Sequence, residues 1–149
     1  MIQVKDVMKT DLPSIPRDGR LLEAAQWMMA SGAEALFVME GDRLLGMVGL
    51  RDLFTAPVPA HYGGGMHAHR DADQLVEVWE RTPVHYLMNE KLITVSEDAP
   101  VLRAAELMVN TGRHPLPVLQ AGRLVGAVSR ADVVRALLAA RQERTCKGA

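Results

Sequence analysis

Leu124-Val125-Gly126-Ala127-Val128-Ser129-Arg130-Ala131-Asp132 runs from an apolar strand-like segment into a helix start, with a hydroxyl and a carboxylate three residues apart at the junction. Its counterpart is Leu44-Leu45-Gly46-Met47-Val48-Gly49-Leu50-Arg51-Asp52, and the two aspartates stand 80 residues apart. The same offset brings Val4 to Val84, Met8 to Met88, Asp18 to Asp98, Ala24-Ala25 to Ala104-Ala105, Gly32 to Gly112 and Val38 to Val118. Chance does not hold one register over so many positions. The chain therefore carries two copies of one supersecondary unit, about residues 4–56 and 84–136.

Each copy reads as β-α-β-β-α. A short apolar segment opens it (Leu12 to Ile15; Leu92 to Val95). Asp18 and Asp98 occupy expected helix N-caps, and Pro100 suits a first helical turn. The helical spacing predicts a buried face of Leu21, Ala25, Met28 and Met29 in the first copy, and of Val101, Ala105, Met108 and Val109 in the second. Trp27 and Met28 read as core or interface, not as a cofactor box. Gly32 and Gly112 end these helices. Two hairpins follow, around Glu40-Gly41-Asp42-Arg43 and Gln120-Ala121-Gly122-Arg123, and Pro117 argues for an edge strand or a strand start. A second helix begins at Gly49 or Ser129.

Composition sets the class. The chain has 149 residues, 48% apolar and 23% charged, the balance of a folded globular protein. A net charge of −1 gives no overall case for nucleic acid or for an acidic membrane surface. The apolar runs fall far short of the roughly 20 residues that span a bilayer. The single cysteine, Cys146, cannot staple the fold, and the N-terminus has no secretory signal, so the expected location is the cytoplasm.

The domain organisation read from these signals is a first repeat at 1–57, a connector at 58–83, a second repeat at 84–140 and a polar, fraying tail at 141–149. In the connector, Pro57, Pro59 and Gly63-Gly64-Gly65 mark a loop, and Asp71 to Arg81 reads as an amphipathic helix with Leu75, Val78 and Trp79 on its apolar side.

The duplicated unit, the entry motifs Val7-Met8 and Leu87-Met88, the strand Leu116-Pro117-Val118 and the Gly-x-x-Ser-x-x-Asp junction together resemble a tandem pair of cystathionine-β-synthase (CBS) domains, a Bateman module. The resemblance spans about 4–56 and 84–138. It implies an α/β module with pseudo-twofold symmetry, commonly a homodimer, whose clefts bind adenosine-containing ligands. With no catalytic domain alongside, the chain looks like a stand-alone member.

Two readings of the junction stay open. The N-terminus of a helix suits a phosphate, and the family's matching residues assign the phosphate to Ser129 and the ribose hydroxyls to Asp132. The same spacing is also a capping box that needs no ligand. His114, followed by Pro115, is a second phosphate candidate by the resemblance, against a solvated loop histidine. Arg130 is a third, because its fork matches phosphate oxygens. By the pseudo-twofold symmetry, Ser14 and Ile15 complete this main site. The weaker site comprises Asp52, Gly49, Arg51, Glu34, Thr94 and Val95. It lacks the hydroxyl at Gly49 and carries a carboxylate at Glu34 where the other copy has a histidine.

No catalytic set stands out, so a binding protein is expected rather than an enzyme. The expected ligand is an adenine nucleotide (AMP, ADP or ATP), S-adenosylmethionine or NAD, read out by an unidentified effector protein. One alternative is a structural dimerisation or docking module with empty clefts. The other is a metal-responsive loop built on His61, His67 and His69, although their spacing fits no strong ligand pattern.

Overall fold

In the computed structural model, which describes residues 1–55 and 72–147, the chain divides into two units, each an α/β assembly around its own three-stranded sheet. One unit is Pro13–Lys91. The other joins Met1–Leu12 to Leu92–Ala149.

In the Pro13–Lys91 unit, β1 (Ser14–Pro16) runs parallel to β2 (Ala35–Glu40), which pairs antiparallel with β3 (Arg43–Gly49). Helix α1 (Leu21–Ser31) follows β1, α2 (Leu50–Phe54) follows β3, and α3 (Ala72–Arg81) lies against α1. The core joins Ile15, Leu21, Met28, Leu36, Val38 and Val48 with Leu53, Val78 and Val84. Trp79 half-buries its ring, and its Nε1–H donates to the Leu53 carbonyl at 2.9 Å.

The other unit repeats the plan with β4 (Val95–Ser96), α4 (Val101–Thr111), β5 (Leu116–Gln120), β6 (Arg123–Val128) and α5 (Arg130–Lys147). Its core is built from Val4, Val95, Val101, Ala104, Met108, Leu116, Val118, Val128 and Val133.

Each unit is completed by the opening segment of the other repeat. Lys9 and Ala127 exchange two backbone hydrogen bonds, both 2.9 Å, and Val4 donates to the Ala99 carbonyl at 2.8 Å. In the same way Asn89 and Met47 exchange bonds of 2.8 and 3.1 Å, and Val84 donates to the Gly19 carbonyl at 2.7 Å. Glycines make room for these crossings. A Cβ at Gly126 would lie 2.6 Å from Met8 Sδ and 3.0 Å from the Lys9 carbonyl, and one at Gly46 would lie 2.9 Å from both Met88 Sδ and the Asn89 carbonyl.

Several local expectations change. The helices start later than predicted, with Arg20 and Pro100 at the N-caps; Asp18 sits in the preceding turn, and Asp98 instead pairs with Lys5 at 3.1 Å. The buried face of each helix includes Ala24 or Ala104, whereas Met29 is 68% and Val109 83% exposed. Those two positions lie at the rim of the helical stripe. Trp27 is exposed, so it is no core residue. Pro117 is buried in the central strand, not at an edge, but it lies at the strand start, second in β5. Its missing N–H falls where Phe37 N–H donates to the Pro13 carbonyl at 2.9 Å in the other sheet, and there β4 is two residues long against three in β1. Residues 141–147 continue α5.

Candidate functional site

Strand β6 delivers the chain to Ser129 at the mouth of α5. The Ser129 N–H donates to Asp132 Oδ2 at 2.9 Å, and the Asp132 N–H donates back to Ser129 Oγ at 3.1 Å. This reciprocal box satisfies two of the backbone donors that a helix start leaves open. The other carboxylate oxygen, Oδ1, accepts from Arg135 Nη2 at 2.7 Å and has Lys9 Nζ at 3.9 Å. Asp132 is the one buried polar or charged residue among the described residues. Burial by itself raises a carboxylate pKa, but here the Ser129 backbone and side chain, then Arg135, then Lys9 outweigh it and hold Asp132 below its ordinary value. The group is therefore a fixed, ionised acceptor at neutral pH.

His114 and Arg130 meet elsewhere in the same unit. Both line a groove of about 450 Å³ between α4 and α5, floored by Met108, Val133 and Leu137. His114 and Pro115 are half-buried, and Arg130 is exposed and makes no salt bridge among the described residues. Asp132 is not part of that lining. Within this unit, the residues expected at the main site thus divide between a cap cluster (Ser129 and Asp132) and a groove (His114 and Arg130).

In the Pro13–Lys91 unit the junction is barer. The Gly49 N–H donates to Asp52 Oδ2 at 2.7 Å, but no hydroxyl returns the bond, and α2 is only five residues long. Asp52 is half-buried, and Glu34 and Arg51 are exposed. The position matching Arg135 is Thr55, whose hydroxyl donates to the Asp52 backbone carbonyl at 3.0 Å, and the position matching Lys9 is Asn89.

Ser14 and Ile15 belong to the unit that carries Asp52, while Thr94 and Val95 belong to the unit that carries Asp132. Ile15 and Val95 are 3% and 5% exposed and serve the cores, so of each pair only Ser14 (half-buried) or Thr94 (exposed) presents a side chain. His61, His67 and His69 lie outside the described residues, and among those described no cluster of three metal-ligating side chains occurs. No helix among the described residues is long and apolar enough to cross a membrane. Lys9 and Arg135 were not among the residues singled out from the sequence. Arg135 carries a signal, one helical turn after Asp132; Lys9 reaches the site only because the opening segment crosses to this unit.

The profile of the CBS domain matches residues 4–58 and 84–139. A CBS domain-containing protein of Dictyostelium discoideum is 31% identical over 139 residues, which cover 92% of both chains. An A-adding tRNA nucleotidyltransferase of Aquifex aeolicus is 32% identical over 89 residues, 58% of this chain but 11% of that enzyme. Among solved structures, that of Arabidopsis thaliana CBSX2 in complex with AMP superposes with a TM-score of 0.74 at 24% identity, covering 95% of this chain and 99% of the other.

Proposed function

The chain belongs to the CBS-domain family, with two copies in tandem, and we propose that it is a regulatory module that binds an adenosine-containing ligand through the Asp132 junction. The observation that carries this reading is the buried, ionised Asp132 carboxylate at the mouth of an 18-residue helix. A ribose offers two hydroxyl donors, and an ionised carboxylate has about four acceptor sites, so the capping bond from Ser129 leaves room for them. The helix N-terminus, Ser129 and Arg130, which makes no salt bridge among the described residues, suit a phosphate, and His114 is half-buried nearby on the groove. The candidates are AMP, ADP, ATP, NAD and S-adenosylmethionine. Binding shifts the arrangement of the two units or of two subunits, and an effector protein reads that shift. Exposed Val109, Val134 and Leu138 on α4 and α5 give a homodimer an apolar face.

The complete capping box favours a second reading, a docking module in which Ser129 and Asp132 only stabilise α5. A thermal-shift panel of the named compounds separates the two. Ligand at about 100 times its Kd adds about 2.7 kcal/mol, and Asp132→Ala abolishes the gain. No shift with any compound, or a shift that Asp132→Ala leaves intact, selects the docking module.

A further inference from the structure

We propose that Arg135 is an internal latch, held on Oδ1 of Asp132, the carboxylate oxygen that the helix cap leaves open to a ribose hydroxyl. The inference rests on the adenosine-ligand reading and adds the competition that governs it. Arg135 Nη2 sits 2.7 Å from Oδ1, and its side chain is 63% exposed over a carboxylate that is 4% exposed. A long, solvated cation lies over a buried anion whose other oxygen is already committed to the Ser129 N–H. An entering hydroxyl therefore meets a guanidinium on Oδ1, the oxygen that the cap leaves open, and must compete with it there.

The second copy of the junction serves as an internal control. Thr55 replaces Arg135 there, and its hydroxyl turns to the backbone carbonyl of Asp52 rather than to the carboxylate. Asn89 replaces Lys9. With neither cation in place Asp52 is half-buried, where Asp132 is buried. The two junctions share a strand, a helix start and an aspartate; they differ in the hydroxyl of Ser129, in helix length and in what lies over the carboxylate.

A latch lowers apparent affinity by the fraction of time it is open, because only the open state accepts ligand. It is electrostatic, so added salt weakens it. Adenosine is the informative probe, since it has a ribose but no phosphate for the released Arg135 to bind. Titration calorimetry of adenosine into the full chain, into Arg135→Gln and into Arg135→Lys, at low and high salt, tests the proposal. A latch closed about 80% of the time predicts about fivefold tighter binding in Arg135→Gln. It also predicts a wild-type affinity for this neutral ligand that rises with salt, a rise lost in Arg135→Gln and kept in Arg135→Lys. Melting curves of the same variants report folding separately. If wild type binds adenosine and Arg135→Gln binds it equally or more weakly, the latch is wrong and the ligand reading stands. If neither protein binds adenosine or AMP, both fall.

Discussion

Asp132 combines burial with full ionisation, and that combination has consequences for stability independent of any ligand. Its pKa is lower in the folded protein than in the unfolded chain. Such a group contributes stability above its unfolded value, about pH 4, and the contribution is lost as pH falls through the folded-state value. Asp132→Asn is therefore expected to be less stable than wild type near neutrality and to approach it below about pH 4 in urea unfolding; a gap of the same size at both pH values contradicts this account of the site. Ser129→Ala removes the hydroxyl that accepts the Asp132 N–H and is expected to cost about 1 kcal/mol. The cap was legible because its bonds span three residues, and local spacing is what a sequence displays. The position of Lys9 was not, because no local pattern links it to Asp132. Pro117 pointed to an edge or a strand start, and only the second holds: a proline weakens a ladder only where its own N–H is needed, and the shortened β4 pairs beyond it.

Among the elements, the hairpins and helices follow their turn and periodicity signals, and the exchanged opening segments do not. The repeat offset identifies two copies but says nothing about which copy an opening segment packs on. The contacts that decide it are a methionine and a glycine far apart in sequence, Met8 with Gly126 and Met88 with Gly46. Gly46→Ala pushes a methyl group against the Asn89 carbonyl, which is backbone and yields little, and is expected to cost about 1–3 kcal/mol. Gly126→Ala meets the flexible Met8 Sδ at 2.6 Å as well as the Lys9 carbonyl at 3.0 Å, so Met8→Ala in the same chain is expected to recover the part of its cost owed to Met8. A double-mutant cycle from denaturant unfolding measures the coupling. Additive costs at Met8 and Gly126 contradict the proposed contact. The exposed Met29 and Val109 show the limit of the periodicity argument: it finds the helix but places its stripe only to within one rim position.

For the whole molecule, the family is established by two matched copies, while the ligand, the oligomer and the partner rest on the proposal. If the apolar positions on α4 and α5 make a homodimer, Val134→Glu with Leu138→Glu yields a monomer in native mass spectrometry with little change in melting temperature, since both side chains are more than half exposed. An unchanged subunit number sends the interface elsewhere. The central claim is that an adenosine-containing ligand binds at Asp132. Calorimetric titration of AMP, ATP and S-adenosylmethionine into wild type and Asp132→Ala tests it most directly. The prediction is saturable binding of at least one compound to wild type, weakened roughly tenfold or more in the variant, as losing hydrogen bonds to a charged acceptor requires. Equal affinity in the two proteins, or no binding of any compound to wild type, contradicts it.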